Sequence, residues 1–364
     1  MKILRTYLLK ELLQPTITAF ILFTFVMLVG NLVKLTDLLI NRGVSIFSIL
    51  HLFGLMVPEM LIYTVPMAVL TGTLLAFGRL SSEREILAMK ACGISFFSIA
   101  WPVLLVGLVC SLALIPINHE VVPWSHYARR KAIPEVILRN PAAFLEPGTF
   151  IREFKPYVLF FYDIRGNKLS KIRIYEPREG YPTRTIVAER GEFLSLPAQR
   201  RVVLKLYQGS ADEPDSKDPT KFFKLEFQTY SQDLLFGQEY ADKTKDQKPK
   251  DMSLRTLREE TQRLQSEGID PTPLRIEYQR RTSMAFSPLA FILVGLPTGI
   301  TTRRAQRLIG FVLSVPFFLG YYILLIVGQT LAQKGLLPSA PAMWLGNGIF
   351  LALGAVLFWR ACRA

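Results

Sequence analysis

Cysteine and histidine are both scarce in this sequence, which has three residues of each. The cysteines, Cys92, Cys110 and Cys362, all lie outside the polar middle of the chain, residues 119–280. That middle section is therefore expected to fold without a disulfide. Neither residue type occurs at the close spacing that zinc sites use. A disulfide framework and a metal centre are both unexpected.

Charge is missing from several long stretches. Residues 15–33 have no charged side chain over 19 positions, and as a helix they would extend about 28 Å, close to the thickness of a bilayer's hydrocarbon core. The first stretch is too long for the apolar part of a signal peptide, and no small-residue cleavage site follows it, so cleavage is not expected. Five further uncharged segments predict six transmembrane helices in all: 60–78, 96–117, 283–300, 308–332 and 342–359.

Acidic residues are absent after Glu277, although the net charge of the chain is +14. Residues 119–280 contain 28 basic and 24 acidic residues, so most of the excess lies in the apolar remainder. Eleven lysines and arginines fall in the two tails and the short loops after spans 2 and 4, against three in the opposite short loops. Basic loops stay in the cytoplasm. We therefore expect a multi-pass protein of the bacterial inner membrane, with both termini cytoplasmic and residues 119–280 periplasmic; nucleic acid is not an expected partner.

The polar middle changes from a helical segment, about residues 119–140, to short alternating runs separated by turn residues. Runs of this kind are typical of an antiparallel sandwich or barrel. Residues 208–220 are expected to be a loop, and Ser253 to cap an amphipathic helix that Gly268 ends. The alternating runs are TFIREF (149–154), YVLFFYDI (157–164), KIRIYE (171–176), RTIVAER (184–190), RVVLKLY (201–207) and KFFKLEFQTY (221–230).

The fold class predicted is an α+β membrane protein, with three helices on each side of an inserted antiparallel β domain. The divisions are 1–118 for spans 1–3, 119–280 for the periplasmic domain with flanking helices, and 281–364 for spans 4–6. A short amphipathic lead-in, residues 1–13, is expected to precede the first span at Pro15.

Motifs of catalysis and cofactor binding are not found. The sequence contains no Walker A motif, and no GxSxG, HExxH or GxGxxG in a suitable context. No cofactor is expected, and the chain is not expected to be an enzyme. If it performs work, a separate chain has to supply the energy.

One cytoplasmic loop, GRLSSEREILAMKACGIS at 78–95, has features of a docking helix. Ser82 is placed to cap a short helix, with Glu83 and Glu85 in its first turn and Gly93 at its end. Such a helix, with an apolar face and an acidic start, suits a groove on a cytoplasmic partner. An ordinary interhelical loop lying on the membrane is equally compatible with these residues. Its apolar side chains include Ile86, Leu87 and Met89.

Several short pieces resemble the LptF/LptG permease family, the membrane subunits of the lipopolysaccharide exporter, and LptF more than LptG. The resemblance covers essentially the whole chain, and its most specific part is the 85–95 segment. The pieces are VPEM (57–60), PxAxLxG (66–72), GRL (78–80), EILAMKACGIS (85–95) and LPTGITTRRAQR (296–307).

The resemblance implies a permease subunit that extracts lipopolysaccharide, paired with an LptG-like second permease above a dimer of an LptB-like cytoplasmic ATPase. The inserted domain would be jellyroll-like and would pass the lipid to LptC-like and LptA-like bridge proteins. The 82–93 helix would be the ATPase-coupling helix, and its residues would be Glu83, Glu85, Ile86, Met89 and Gly93. The first and fifth spans would form lateral gates.

A lipid that carries phosphates also needs cations near the outer leaflet. Lys34, at the outer end of span 1, and Arg42 are the candidates for substrate binding. Both side chains could instead simply reach the membrane interface.

Three other functions are compatible with part of this pattern. A lipoprotein-release type permease usually has four spans with its insert after the first, unlike the arrangement here. A membrane-anchored periplasmic ligand-binding or structural protein would not need an apolar helix at 82–93. An enzyme acting on lipid lacks a clustered catalytic set.

Overall fold

The computed structural model describes the backbone of residues 2–40, 45–139, 145, 147–152, 154, 156–178, 181–196, 201–214, 222–234, 247–301 and 307–363. The chain divides into two compact units. The helical unit comprises 1–30, 56–127 and 248–364, and the β unit comprises 31–55 and 128–247. The helices flanking the strands, at 119–127 and 248–280, thus belong by their contacts to the helical unit.

The helices of the first half begin with α1, Lys2–Ile40, which is one uninterrupted helix. The predicted separation of a lead-in from a span at Pro15 is therefore wrong, because Pro15 lies inside α1. The others are α2 (Ile46–Gly54), α3 (Val57–Ser82), α4 (Glu85–Ala91), α5 (Phe96–Pro116) and α6 (Val122–Arg139), with a π-helical turn at Ile117–Val121 between the last two.

The second half starts with a 3-10 turn, Pro249–Asp251, and then α7 (Leu254–Ser266), α8 (Thr272–Ala285), α9 (Ser287–Thr301), α10 (Arg307–Gln333) and α11 (Ser339–Arg363). The Ser253 side chain accepts a hydrogen bond from the Thr256 N–H at 3.3 Å, so the predicted cap of α7 is confirmed. Gly268, with φ of 72°, ends the helix as predicted.

Among the residues that the structure describes, six helical segments are long and apolar enough to cross a membrane, which confirms the predicted number. They are Lys2–Asn31, Val57–Ser82, Phe96–Ile133, Thr272–Thr301, Gly310–Gln333 and Ser339–Arg363. The third continues through the π-helical turn into the segment predicted as a separate polar helix, because the backbone stays helical from Phe96 to Arg139.

The helical unit is apolar on its outer surface as well as in most of its interior. One stripe of α5 exposes Phe97, Trp101, Leu105, Leu108 and Leu112. A water-soluble protein rarely leaves such a stripe uncovered, whereas lipid or a partner helix covers it at no cost. The apolar interior also contains polar side chains such as Thr64, Thr73, Ser111, Ser283 and Asn347.

The centre of the helical unit is α9, which packs against α3, α5 and α11. Small residues let these helices approach closely. A Cβ added to Gly107 of α5 would lie 2.9 Å from Cδ1 of Ile292, and one on Gly354 of α11 would lie 2.9 Å from the Leu293 carbonyl carbon. Hydrogen bonds add to this packing: the Ser283 hydroxyl donates to the Met343 carbonyl at 2.7 Å.

The β unit contains a six-stranded antiparallel sheet in the order β1-β2-β3-β4-β5-β6. Each of the six predicted runs contains a strand. The last four strands are longer than predicted, β2 has the predicted length, and β1 is shorter. In particular, β5 continues through the region predicted as a loop as far as Pro214. The strands are β1 (Phe150–Ile151), β2 (Val158–Arg165), β3 (Lys168–Arg178), β4 (Tyr181–Leu196), β5 (Arg201–Pro214) and β6 (Phe222–Leu234).

A crease crosses this sheet along one row of residues. The pairing of β3 with β4 passes from Ser170 directly to Ile172, and the pairing of β5 with β6 passes from Tyr207 directly to Gly209. The residues between these positions form a row without pairing partners across the described strands. Two residues of the row, Lys171 and Gln208, have φ of 50° and 54°. The row itself consists of Tyr162, Lys171, Glu189, Gln208 and Gln228.

The crease lets one curved sheet enclose its own core. In β4 the inward positions are Ile186 and Ala188 before the row and Phe193 after it, so their parity changes. Residues from both sides, such as Ile174 and Leu204, belong to one hydrophobic cluster. The described strands each pair with their sequence neighbour, as in a meander. The jellyroll-like closure implied by the resemblance stays a prediction.

Candidate partner-docking site

The predicted docking helix begins three residues later than the sequence indicates. Helix α3 continues through Ser82, and the Ser82 hydroxyl donates to the Arg79 carbonyl at 2.8 Å. The predicted cap by Ser82 is therefore wrong. Arg84, with φ of 61°, forms a one-residue left-handed joint, and α4 starts at Glu85. Glu83 consequently ends α3 and does not lie in the first turn of α4.

The end of α4 is where the sequence predicts it. Gly93 has φ of 79°, a conformation that glycine adopts without steric cost. Its N–H donates to the Lys90 carbonyl at 2.9 Å, and the Ile94 N–H donates to the Met89 carbonyl at 3.0 Å. These two bonds satisfy carbonyls at the end of the helix.

The two faces of α4 differ in burial. Ile86 is only 4% exposed and packs in a cluster that contains Leu8 and Leu80, with Met89 half-buried against it. Ile86 is therefore not part of an exposed docking face in this chain. Leu87, which is 63% exposed, is the large apolar side chain that α4 presents outward.

Glu85 is held from one side by α1. The Tyr7 hydroxyl donates to Glu85 Oε2 at 2.7 Å. One helical turn further along α1, Glu11 forms an ion pair with Arg79 of α3. Arg79 Nε also lies 3.7 Å from a carboxylate oxygen of Glu83. Helix α1 thus contacts the chain on both sides of the α3–α4 joint.

Helix α4 is held from another side by the last turn of α11. Lys90 Nζ donates to the Ala361 carbonyl at 3.0 Å, and the Ser81 hydroxyl donates to the Ile300 carbonyl at 2.6 Å. The start of α1, the α3–α4 joint, the end of α9 and the end of α11 therefore meet at one end of the helical unit. We call it the N/C end. These segments adjoin the two tails and the loops after spans 2 and 4, which the basic residues predict to lie on the same side of the membrane.

The opposite end of the helical unit contains a buried ion network that sequence reasoning missed. Glu277 of α8 lies 3.0 Å from Arg280 and 2.9 Å from Arg281. Arg281 also donates to the Met252 carbonyl at 2.7 Å and to the Pro249 carbonyl at 2.8 Å. The network therefore fastens the segment before α7 to α8. A carboxylate with arginines three and four residues later was the available signal.

The predicted substrate cations are not tested by this geometry. Lys34 lies in the helical range of α1, but its side chain, like all of Arg42, lies outside the described part of the chain. Glu59, near the start of α3, lies 3.6 Å from His126 Nε2.

Sequence reasoning missed Tyr7, and it named Leu87 only as one of the apolar side chains of the candidate docking helix. The sequence signal that could have indicated Tyr7 was its place next to Leu8, with Glu11 and Leu12 one helical turn later. Leu8 and Leu12 are 0% and 2% exposed, so this face of α1 is covered by protein. Leu87 could not be separated from Ile86 by sequence, because a seven-residue helix is too short to show which apolar side chain faces inward.

The fold and this site define a class of protein. In the part of the chain that the structure describes, six apolar helices are long enough to cross a membrane, and an antiparallel sheet is inserted between the third and the fourth. This is the construction of a multi-pass membrane protein.

Comparison with known proteins identifies the family. The model for "Lipopolysaccharide export system permease LptF/LptG" matches residues 6–360, so the chain belongs to this family. The chain is 24% identical over 355 residues to the lipopolysaccharide export system permease protein LptF of Escherichia coli (strain K12), covering 96% of this chain and 93% of that protein. The LptF protein of Shigella flexneri matches to the same extent.

Proposed function

We propose that this chain is the permease subunit of an ATP-driven exporter that extracts lipopolysaccharide from the inner membrane and passes it to a periplasmic bridge. The proposal places both termini and the N/C end in the cytoplasm and residues 119–280 in the periplasm. The partners proposed are an LptB-like ATPase dimer, an LptG-like second permease, and LptC-like and LptA-like bridge proteins. The chain itself is not catalytic.

The observation that carries the proposal is the presentation of α4 at the N/C end. A helix of seven residues is marginal by itself. Here Tyr7, Ile86 and Lys90 fasten it to the rest of the unit, while Leu87 points outward. A short helix held this firmly, with a carboxylate in its first turn, fits a groove that contains a basic residue.

Substrate binding is proposed at Lys34 and Arg42, near the outer leaflet. A phosphate group of the lipid would pair there with a lysine or arginine. The support for this placement is that the uncharged stretch of α1, residues 15–33, ends directly before Lys34, while the helix continues to Ile40.

The experiment that tests the function replaces the carboxylate of α4. We expect Glu85→Arg to reduce capture of the ATPase strongly, since an unmatched charge at a buried pair usually costs several kcal/mol. Leu87→Asp should do the same, because Leu87 is exposed and its replacement costs little folding stability. Glu83→Arg should be milder, since Glu83 ends α3. The measurements are ATPase co-purification and lipid transfer from liposomes.

Leu336 supplies the control, because it is 67% exposed in the turn between α10 and α11. Leu336→Asp should leave ATPase capture unchanged. Full ATPase capture and normal lipid transfer by Glu85→Arg would exclude α4 as the coupling helix. The membrane-anchored ligand-binding protein would then be the better account.

A further inference from the structure

Helix α1 contacts α4 and its joint through one continuous face. Tyr7 and Glu11 are one turn apart on α1, and their partners Glu85 and Arg79 lie on opposite sides of Arg84. Leu8 and Leu12 lie beside them and belong to the same hydrophobic cluster as Ile86. We call the Tyr7–Glu85 and Glu11–Arg79 contacts the latch.

The joint between α3 and α4 needs such a restraint. Only Glu83 and Arg84 separate the two helices, and Arg84 adopts a left-handed backbone that costs about 1–2 kcal/mol for a residue other than glycine. A single joint of this kind lets a short helix pivot. Apolar packing around Ile86 resists separation but is not directional. Hydrogen bonds depend on angle, so the latch sets the direction of α4.

The latch residues on α1 lie at the start of the helix that forms the first membrane span. Tyr7 and Glu11 lie in the first three turns of a helix that continues without interruption to Ile40. A displacement of α4 by a docked partner would therefore act on the first membrane span directly. Glu85 offers Oε2 to Tyr7. Its other oxygen leaves room for a second contact from outside the chain.

We propose that Tyr7 and Glu11 are positioning residues that fasten the first membrane span to α4 and to the end of α3, through Glu85 and Arg79, so that a partner moving α4 also moves α1. This inference rests on the proposed function, in which α4 is the element that docks on the ATPase. The partners of both residues lie within the chain: Glu85 for Tyr7 and Arg79 for Glu11. Their contribution is to convert a movement at the N/C end into a movement of the span.

The test separates docking from transmission. Tyr7→Phe removes one hydroxyl and keeps the ring, so the fold is preserved. With the complete exporter in liposomes, three quantities are measured: ATPase captured per permease, ATP turnover, and lipid transferred per ATP hydrolysed. We expect capture and turnover close to those of the wild type, and about a three- to tenfold fall in lipid transferred per ATP, since one hydrogen bond has been removed.

Glu11→Gln and the double variant Tyr7→Phe/Glu11→Gln extend the test, and Thr6→Ala is the control. Thr6 is exposed on α1 and bonds only its own helix, through the Lys2 carbonyl at 3.1 Å. Thr6→Ala should transfer the wild-type amount of lipid per ATP, and the double variant less than either single one.

An unchanged ratio of lipid to ATP in the double variant would overturn the proposal. So would a fall of capture, turnover and transfer in equal proportion, because that result describes a purely structural contact. Failure of the proposed function looks different: the wild-type protein itself would then capture no ATPase.

Discussion

Glu277 and Glu259 each pair with an arginine one helical turn away, in opposite surroundings. The Glu277–Arg281 distance is 2.9 Å and the side chains are 10% and 5% exposed. The Glu259–Arg255 distance is 2.8 Å, but those side chains are 61% and 88% exposed. Water screens the second pair and not the first. The two glutamates therefore form a matched comparison.

Removing the buried carboxylate should destabilise the protein. We expect Glu277→Gln to lower the free energy of unfolding by about 3–5 kcal/mol, because Arg280 and Arg281 are left with uncompensated charge. Glu259→Gln should leave the midpoint of thermal unfolding in detergent unchanged. Equal midpoints for the two variants would show that the Glu277 network contributes nothing specific.

Lys34 is the second prediction at this scale. Lys34→Glu should weaken lipid loading more than Lys34→Gln, because charge reversal adds repulsion of phosphate to the loss of attraction. The measurement is photo-crosslinking of lipid from neighbouring positions on α1, with assembly of the complex as the control. If loading in the Glu variant equals that of the wild type, Lys34 serves only as an interfacial anchor.

At the scale of elements, the crease of the β-sheet depends on two residues with positive φ. The backbone of Gln208 is strained in this conformation, because a residue with a Cβ adopts positive φ at a cost in free energy that glycine avoids. Gln228 lies in the same row on the next strand, and its φ is not positive. The same substitution at the two positions should therefore have opposite effects.

We expect Gln208→Gly to raise the free energy of unfolding by about 1 kcal/mol. Gln228→Gly should lower it by about 0.5–1 kcal/mol, because glycine loses more conformational entropy in an extended strand. Thermal unfolding of the full chain, followed by the circular dichroism of the β-sheet, measures both. A destabilising Gln208→Gly would mean that the crease does not strain its backbone.

At the scale of the whole molecule, the distribution of basic residues predicts the topology. The N/C end groups the start of α1, the α3–α4 joint and the ends of α9 and α11. Most of the loop lysines and arginines lie in or next to these segments in the sequence. Because basic loops stay in the cytoplasm, this end is predicted to face the ATPase.

Cysteine labelling checks that prediction. In a cysteine-free version of the protein, Asp215→Cys should react with a membrane-impermeant thiol reagent in intact cells. Arg304→Cys should react only after the membrane is opened. Labelling in the reverse pattern would invert the proposed orientation of every span.

The sequence by itself determined the six spans, the six strand positions and the caps at Ser253 and Gly268. Each depends on short-range physics: a helix must cover the hydrocarbon thickness with uncharged residues, a half-buried strand alternates, and a cap bonds within one turn. The same reasoning located the docking segment, because glycine at position 93 and the apolar run before it are local signals.

Only the tertiary structure decided which side chains of that segment face outward and what holds them. Tyr7 and Glu85 are 78 residues apart, and no local pattern links residues at that distance. The burial of Ile86 depends on Leu8 and Leu80 arriving from other helices. The start of α4 also depended on context, since Ser82 stayed in α3 and a left-handed Arg84 made the joint. Long-range packing selects among conformations that local propensities leave nearly equal in free energy, so such details follow from the fold and not from the sequence pattern.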